Sequence, residues 1–406
     1  MSCVACKNSD FFSIYDFGSI PLVNNFTSNK KKAKKKYRLD IVCCSKCFLV
    51  QIRKNINPKT LFQNYKHISS GSKLNVSHLK SINKIGLNLK NSKILEIGSN
   101  DNSLLKNLIK NCKILCGVDP SIKNNISNKR VYLYKKFFSY PLSNKLKEKF
   151  QAFDFIFAIN VIPHVKNLKE IIKGVSNVLD PKGLFILEGV YLLNNIQKGY
   201  FDTFYHEHVS TFSLFSLNKL FKVYGLKIVK VELLNTQGGS FRVYASHNHN
   251  NYKISDYTNN LFKKELQLEV NKKSYYKKLK TSLEKRINFL KAQIDKKLKK
   301  LKLKNEKIIG LGAPARGVVI TNVLQATKLI DLYIDDSSTK LNKYFPGTNS
   351  KVISWKDKRI VNCKYFILLS WNYEKEIIEK ILKYKKNNFY LIKIFPNFKI
   401  IHFKVN

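Results

Sequence analysis

Short apolar runs alternate with amphipathic stretches through the middle of the chain. Residues 93–97, 114–118, 153–159 and 184–188 have the length and composition of buried strands, whereas residues 104–110 have helical periodicity. This alternation predicts a parallel, doubly wound α/β sheet. Further strand-like runs at 307–311, 332–335 and 365–369 predict a second α/β domain in the C-terminal third.

The segment between these two regions, residues 256–306, contains neither Gly nor Pro. Its apolar residues recur near helical spacing and predict a long helix packed on one side. These residues are Leu266, Val270, Tyr276, Leu279, Leu283, Ile287, Leu290, Ile294, Leu298 and Leu301. A basic amphipathic helix can also lie on a membrane surface. The strands that follow favour packing within the protein.

The N-terminal 65 residues contain two C-x-x-C pairs, Cys3/Cys6 and Cys44/Cys47. Thiolates two residues apart grip one ion from a tight turn, so the pairs predict a tetrahedral Zn²⁺ site that staples a small module. Unlinked thiols are the alternative, and Cys43 is a weaker competing ligand. The other cysteines, Cys112, Cys116 and Cys363, lie in apolar contexts typical of a core. A Lys-rich stretch at 30–36, between the pairs, is interpreted as a solvated loop.

Composition narrows the possible functions. The 406 residues suggest two or three domains. The formal net charge is +47, but it comes mainly from Lys scattered over the whole length. Proteins that recognise nucleic-acid sequences typically use Arg for base and phosphate contacts, and this chain has few Arg. We therefore expect no specific nucleic-acid partner. No apolar run reaches the roughly 18 residues of a membrane span, and the first ten residues do not look like a secretory leader, so we expect a cytoplasmic protein.

A turn after the predicted strand at 93–97 has the features of a cofactor site. It reads Glu96, Ile97, Gly98, Ser99, Asn100, Asp101, and Asp119 ends the next strand, followed by Pro120. The dinucleotide pattern G-x-G-x-x-G is missing. An acidic residue in the first strand (Glu96), one Gly after it and an acidic residue at the end of the second strand (Asp119) favour S-adenosylmethionine over NAD as the cofactor. The alternative for Asp119 is a helix N-cap.

The segment at 202–210 concentrates acid/base side chains. Tyr205, His206, Glu207 and His208 are consecutive in a chain with only eight histidines. A metal-binding pair of histidines on a helix needs i, i+4 spacing, which is absent, so general acid/base catalysis fits better. A polar loop that happens to be rich in His is the alternative.

Two of the seven arginines follow glycine-containing turns. Arg242 follows Gly238-Gly239, and Arg316 follows the segment Gly310 to Ala315. Either guanidinium could pair with a carboxylate or a phosphate, and both are candidate substrate-binding residues. The alternatives are a simple hairpin for the first turn and tight strand–helix packing for the second.

In order along the chain, these motifs resemble those of the sugar C-methyltransferases that act on nucleotide-linked 4-keto-deoxy sugars. Further matches are Tyr65 with Ser69-Ser70, Asn160-Val161 with His164-Val165, residues 344–348 and residues 371–373. The resemblance implies an α/β protein of three parts. A zinc module at 1–65 precedes a class I methyltransferase-type, Rossmann-like sheet at 66–245, and a second Rossmann-like domain covers 246–406.

The resemblance also implies roles for individual residues. By resemblance, His208 is the base that removes the C3 proton of the keto sugar, assisted by Glu207 and Tyr205. Tyr205 or His206 then donates a hydrogen bond to the oxygen of the resulting enolate. The predicted cofactor-binding residues are Glu96, Gly98, Ser99, Asn100, Asp101, Asp119, Pro120, Asn160 and His164. The predicted substrate-binding residues are Tyr65, His67, Ser69, Arg242 and Arg316. The predicted zinc ligands are Cys3, Cys6, Cys44 and Cys47.

Three positions depart from the family pattern. His67 stands where relatives tend to have Tyr, Asn102 where they usually have Gly, and Arg316 where they often have Lys. An Asn can adopt the left-handed conformation, so the turn at Asn102 is expected to persist.

The implied activity is S-adenosylmethionine-dependent methylation of C3 of a nucleotide-diphosphate-linked 4-keto-deoxy sugar, through an enolate formed by a His base. One alternative is an O- or N-methyltransferase for a related sugar or small molecule. The other is a non-catalytic zinc-bearing scaffold that binds nucleic acid.

Overall fold

The computed structural model describes residues 1–54, 56–57, 61, 73–122, 126 and 128–405. Three β-sheets with helices packed against them account for these residues. The predicted substrate-binding residues Tyr65, His67 and Ser69 lie outside the described residues.

The N-terminal module is a small antiparallel sheet with one short helix. Its elements are β1 (Phe11–Pro21), α1 (Lys30–Ala33), β2 (Lys36–Cys44) and β3 (Val50–Ile52). The Lys-rich stretch was predicted as a loop, and this was wrong for its first turn. The Asn29 side chain accepts a hydrogen bond from the Lys32 amide at 3.0 Å and so caps that turn.

The central domain is a seven-stranded sheet with helices on its faces. Its elements are α2 (Lys73–Ser81), β4 (Lys93–Ile97), α3 (Ser103–Leu108), β5 (Ile114–Val118), β6 (Val131–Tyr134), α4 (Tyr140–Phe150), β7 (Phe153–Ile159), α5 (Leu168–Val178), β8 (Leu179–Val190), α6 (Leu192–Gln197), β9 (Ser210–Thr211), α7 (Leu214–Val223), β10 (Leu226–Leu234) and β11 (Ser240–His247). The strand order is β10-β11-β8-β7-β4-β5-β6, and β11 runs antiparallel to both of its neighbours. The short strand β9 instead joins the N-terminal sheet, where Thr211 pairs with Val50.

The four strands predicted in this domain are confirmed. β4 and β5 are buried along almost their whole length, as expected for parallel strands covered on both faces. Because β4 to β8 are parallel, their carboxyl ends meet at one edge, which is where doubly wound sheets bind ligands.

The segment predicted as one long helix forms two, α8 (Asp256–Gln267) and α9 (Lys273–Leu303). The predicted apolar stripe is buried along α9, whereas Leu266 is 51% exposed, so that assignment was wrong. α9 packs on β1, and the Tyr276 hydroxyl donates to the Phe48 carbonyl at 3.2 Å. Within the described part of the chain, every helix is too short or too polar to cross a membrane.

The C-terminal domain is a six-stranded, mainly parallel sheet with helices between its strands, like the central domain. Its elements are β12 (Ile308–Leu311), α10 (Ala315–Val323), β13 (Leu332–Ile334), β14 (Val352–Ile353), α11 (Arg359–Asn362), β15 (Tyr365–Leu368), α12 (Glu374–Leu382), β16 (Phe389–Lys393) and β17 (Lys399–Phe403). The order is β14-β13-β12-β15-β16-β17, and all pairs are parallel except β16 with β17. The predicted second α/β domain is therefore confirmed.

Candidate active site and metal centre

The turn after β4 is built from residues with left-handed backbone conformations. Gly98 adopts a φ of +76°, and a Cβ at this position would lie 2.2 Å from a methyl carbon of Val161. Asn100 and Asn102 are also left-handed, with φ of 49° and 61°. The expectation that Asn102 maintains the turn is therefore confirmed. A backbone this close to its neighbours tolerates no larger residue at Gly98.

Asp119 ends β5 beside this turn. Its Oδ2 accepts a hydrogen bond from the Asn100 amide at 3.1 Å, and its Oδ1 accepts from the Ser121 amide at 2.6 Å. The Ser121 hydroxyl is also a donor to Oδ1. A carboxylate offers about four acceptor positions, so one remains for a ligand such as a ribose hydroxyl. The half-buried Pro120 follows directly.

Glu96 and Ser99 carry buried polar atoms that the described residues leave without a partner. These atoms are Glu96 Oε2 and Ser99 Oγ. Burial raises the pKa of Glu96 well above its ordinary value, and the nearby charges of Asp101 and Asp119 raise it further. Unsatisfied buried polar atoms at a sheet edge are typical of a site that a polar ligand completes. The donor set therefore fits the sulfonium cofactor predicted from the sequence.

The residues that follow β7 lie between the predicted cofactor site and the predicted base, His208. We call the carboxyl ends of β4, β5 and β7, with the turns that follow them, the cofactor edge. Asn160 is left-handed and its amide donates to the Glu188 carbonyl at 3.0 Å. His164 lies in the 3₁₀ turn Ile162–His164, and its ring packs edge-on against His208 with 5.0 Å between ring centroids. His164, which is predicted to bind cofactor, thus contacts His208, which is predicted to remove a proton.

His208 is held in one protonation state by its two neighbours. Its Nδ1 lies 2.7 Å from the Thr203 carbonyl oxygen, which only accepts, so Nδ1 carries the proton. Its Nε2 is then a lone-pair acceptor, 2.7 Å from the Tyr205 hydroxyl that donates to it. Burial lowers the pKa of His208 well below its ordinary value, and His164 and Arg316 lower it further. Burial raises the pKa of Tyr205. His208 is therefore a neutral imidazole whose Nε2 accepts a hydrogen bond from Tyr205.

The other two members of the cluster face the N-terminal module. Both carboxylate oxygens of Glu207 accept hydrogen bonds from the Asn24 side-chain amide, at 2.8 and 2.9 Å. His206 Nε2 donates to the Tyr37 carbonyl at 3.1 Å, and burial lowers the pKa of His206. The role of His206 as a donor to an enolate oxygen stays a prediction, and this contact does not support it. Asn24 was not found from the sequence, because no motif marks it.

Arg242 lies between two carboxylates of its own sheet. Its guanidinium contacts Glu188 on β8 at 2.6 Å and Glu232 on β10 at 3.2 Å, opposite it in the strand register. Glu188 also contacts His78 Nε2 at 2.6 Å. Substrate binding by Arg242 stays a prediction, and the commitment of its donors to protein carboxylates does not favour it.

Arg316 contacts Asp202 across the interface between the central and C-terminal domains. Its Nε and Nη2 donate to the two Asp202 oxygens at 3.0 and 2.7 Å, and its Nη1 donates to the Gln237 carbonyl. The Trp371 indole N–H donates to Asp202 at 2.7 Å. Substrate binding by Arg316 likewise stays a prediction. Sequence reasoning missed Asp202, although it lies within the segment selected for its acid/base side chains.

The four predicted zinc ligands form one cluster. The Sγ atoms of Cys3, Cys6, Cys44 and Cys47 all lie within 4.8 Å of one another, and the pairs Cys3–Cys47 and Cys6–Cys44 are 3.5 Å apart. Tetrahedral Zn²⁺ with bonds of about 2.3 Å requires sulfur separations of about 3.8 Å, so the cluster fits the ion. Hydrogen bonds from the Cys3 and Cys47 thiols lower the pKa of Cys44.

The remaining cysteines agree with their predicted roles. Cys43 is buried and points its thiol at the Cys44 carbonyl, outside the cluster of four. Cys112, Cys116 and Cys363 are buried, as predicted for core residues.

Comparison with known proteins assigns each of the three parts to a described family. Residues 3–62 match a zinc binding domain, residues 73–231 a methyltransferase domain and residues 235–396 a C-methyltransferase C-terminal domain. The C-methyltransferase NovU of Streptomyces niveus is 26% identical, over 98% of this chain and 96% of that protein. The three matches follow one another in the order of the predicted parts. The chain is thus a methyltransferase that uses S-adenosylmethionine, and it carries an N-terminal zinc-binding module.

Solved structures of methyltransferases are similar to part of this chain. The magnesium protoporphyrin IX methyltransferase of Synechocystis PCC 6803 with bound SAH is 13% identical, with a TM-score of 0.33 over 44% of this chain and 84% of that chain. The N-methyltransferase NodS of Bradyrhizobium japonicum WM9 is 13% identical, with a TM-score of 0.30 over 43% of this chain and 93% of that chain.

Proposed function

We propose that this C-methyltransferase methylates C3 of a nucleotide-diphosphate-linked 4-keto-deoxy sugar, with His208 as the base. The observation that carries the proposal is the environment of His208. Its Nε2 is an unprotonated acceptor, and its ring packs against His164 at the cofactor edge. The sugar substrate rests on the resemblance of the motifs to those of the sugar C-methyltransferases.

The proposed chemistry assigns a step to each side chain. A ketone at C4 acidifies the hydrogen on C3, and His208 Nε2 accepts that proton. The Tyr205 hydroxyl, which donates to Nε2 in this structure, turns to the C4 oxygen and stabilises the enolate that forms. When bound, S-adenosylmethionine supplies the methyl group that C3 of the enolate attacks. The proton held on His208 then passes to water.

Glu207 has a supporting role in this proposal. The Asn24 amide holds its carboxylate, and its negative charge raises the pKa of Tyr205. A phenol that keeps its proton is a hydrogen-bond donor rather than a competing base. Glu207 therefore helps to keep the donor and acceptor roles of Tyr205 and His208 distinct.

The proposal is tested by hydrogen exchange rather than by turnover alone. A panel of nucleotide-diphosphate 4-keto-deoxy sugars is incubated in D₂O with enzyme and S-adenosylhomocysteine, and deuterium at C3 is followed by NMR. We expect exchange with the wild type and none with His208→Ala. Undiminished exchange by His208→Ala would remove this base from the mechanism.

The same experiment discriminates carbon methylation from the alternatives. An O- or N-methyltransferase has no need to deprotonate carbon, so it would methylate its acceptor without exchanging the C3 hydrogen. As a control, Asp119→Ala is expected to weaken S-adenosylhomocysteine binding and still exchange C3, because the base does not depend on the cofactor edge for its proton transfer.

A further inference from the structure

The segment that carries the base, residues 202–208, is held from both sides by other parts of the chain. We call it the base loop. Asp202 at its start is fully buried and accepts three hydrogen bonds from Arg316 and Trp371 of the C-terminal domain. Near its end, Asn24 of the N-terminal module binds Glu207. The N-terminal module and the C-terminal domain, which are distant in sequence, therefore both contact this seven-residue loop.

The link from Asp202 to the base is short. The carbonyl that fixes the His208 tautomer belongs to Thr203, the residue next to Asp202. Two tight turns connect them, in which the Phe204 amide donates to the Phe201 carbonyl at 3.1 Å and the His208 amide donates to the Tyr205 carbonyl at 2.9 Å. A displacement of Asp202 is thus transmitted to the acceptor of the His208 Nδ1 proton.

The partners of Asp202 are themselves fixed. The Arg316 guanidinium lies over the Trp371 ring at 4.6 Å and donates to the Gln237 carbonyl. Gly238, with a φ of +78°, lets that turn approach, because a Cβ there would lie 2.6 Å from Trp371 and 2.7 Å from Arg316. We call Asp202, Arg316 and Trp371 the Asp202 clamp. Its donors face a carboxylate of the same chain, which favours a positioning role.

We propose that Asp202 is a positioning residue: through the Asp202 clamp, docking of the C-terminal domain sets the orientation and protonation state of the base His208. The inference rests on the proposed function, because it concerns the base of that reaction. It adds that the central domain alone does not hold the base in its productive geometry. The C-terminal domain acts through Asp202 and Thr203, without a contact between Arg316 and His208 being required.

Electrostatics gives the inference a readout at the His208 ring itself, which is combined below with the kcat of the same variants. The charged or titratable groups around Tyr205 and His208 are His164, Glu207, Asp202 and Arg316. Arg316 lowers the pKa of His208, and Asp202 offsets its charge. Asp202→Asn leaves the Arg316 charge uncompensated, so the pKa of His208 falls. Arg316→Gln removes the charge, so the pKa of His208 rises.

The experiment measures the His208 ring by NMR in full-length protein labelled with ¹³C-histidine, using His208→Asn to assign the signal. Wild type, Asp202→Asn and Arg316→Gln are compared. We expect titration shifts of opposite sign in the two variants. We also expect kcat to fall about tenfold or more in both, with little change in KM, because misplacement of a catalytic group acts on the chemical step.

Glu265→Gln is the matched control. Glu265 is also a fully buried carboxylate with three donors, namely the Leu214 and Phe215 amides and the Tyr191 hydroxyl, but it caps α7 rather than the base loop. Its loss is expected to lower the melting temperature and leave the His208 titration unchanged. Should Asp202→Asn fail to fold, Arg316→Gln and Trp371→Phe, which loses the indole donor to Asp202, take over the comparison.

The outcomes separate this inference from the proposed function. Folded clamp variants that bind S-adenosylhomocysteine and keep the wild-type His208 titration and kcat overturn the inference, even if His208→Ala abolishes C3 exchange. Conversely, continued C3 exchange by His208→Ala overturns the proposed function, and opposite titration shifts would then still show that the clamp sets the state of the His208 ring.

Discussion

The central and C-terminal sheets end in the same kind of turn. In each domain the first parallel strand leads into a glycine with positive φ, Gly98 at +76° and Gly312 at +85°. In each, a backbone amide just after that glycine donates to an aspartate at the end of the next strand, Asp119 at 3.1 Å and Asp335 at 2.9 Å. The turn is thus a property of the doubly wound architecture and does not by itself indicate a ligand site.

The two turns differ in how their carboxylates are neutralised. Lys340 pairs with Asp335 at 3.0 Å and donates to the Ala313 carbonyl, so the C-terminal turn supplies its own cation. Among the described residues, no Lys or Arg forms an ion pair with Glu96 or Asp119 at the central turn. The Asp119 carboxylate thus has no paired cation in the part of the chain that the structure describes, and a positively charged cofactor with hydroxyl groups would complete it. Within the described ranges, a paired cation, more than backbone shape, distinguishes the C-terminal turn from the turn predicted to bind the cofactor.

The glycines give the largest expected contrast. Gly98→Ala places a methyl group against Val161 at the cofactor edge, whereas Gly312→Ala places one against Ser370, 1.9 Å from its Oγ. Strain at such positions costs about 1–3 kcal/mol. We expect Gly98→Ala to weaken S-adenosylhomocysteine binding about 100-fold by calorimetry. Gly312→Ala should lower the melting temperature and leave that affinity near wild type. Equal losses of affinity in both variants would show that the edges are not specialised.

The aspartates test the same contrast through charge. A hydrogen bond to a charged group contributes about 1.5–3 kcal/mol, so Asp119→Ala should weaken S-adenosylhomocysteine binding about tenfold or more. Asp335→Ala is the matched control, because Asp335 accepts the equivalent backbone hydrogen bonds. It should destabilise the C-terminal domain in thermal unfolding without changing cofactor affinity. Unaltered affinity in Asp119→Ala would contradict its assignment to the cofactor.

The base beside the central edge predicts a pH dependence. The pKa of His208 is lowered well below 6.5, so Nε2 remains unprotonated where an exposed histidine is already half charged. We expect the acid limb of kcat/KM to lie below pH 6.5, because activity is lost only as the pH falls through the lowered pKa. His402→Gln, a change in the C-terminal sheet, should not move the limb. An acid limb at or above pH 6.5 would be inconsistent with a buried, neutral base.

The smallest expected effect is that of the cation at the C-terminal turn. Lys340 is partly exposed, so Lys340→Ala should cost about 1 kcal/mol or less of unfolding free energy in denaturant titration. The loss should be greater at low salt, because exposed pairs are screened. Lys307→Ala is the control. The Lys307 ammonium is more exposed and lies 3.8 Å from Asp331, a longer distance than in the Lys340 pair, so its loss should cost less unfolding free energy. A gain of cofactor binding at the C-terminal turn is not expected, since Ser370 occupies the space beside Gly312.

Local patterns predicted the elements that depend on neighbouring residues. The strands β4, β5 and β7 follow from apolar runs, the left-handed turn from Gly98 and Asn102, and the zinc cluster from paired cysteines. The strands and the turn depend on interactions between residues that are close in sequence. The zinc cluster depends on the C-x-x-C spacing, which is typical of one metal ion. For this reason the strands and the turn after β4 were predictable in some detail.

Contacts between distant segments could not be predicted in the same way. Arg316 meets Asp202 across 114 positions, and Asn24 meets Glu207 across 183. Arg242 was selected because arginine is rare in this chain, but its carboxylate partners depend on the register of β8, β10 and β11. No periodicity records such pairings, since they arise from how the sheets and modules pack.

The strand β9 gives the chain an order of assembly. Ser210 and Thr211 complete the N-terminal sheet by pairing with Gln51 and Val50, and they directly follow the base loop. During synthesis the N-terminal module therefore waits for more than 150 further residues before its last strand exists. Such long-range pairings form late, because the chain between them must first be ordered. The base loop is thus held next to a sheet whose other strands all lie within the first 52 residues.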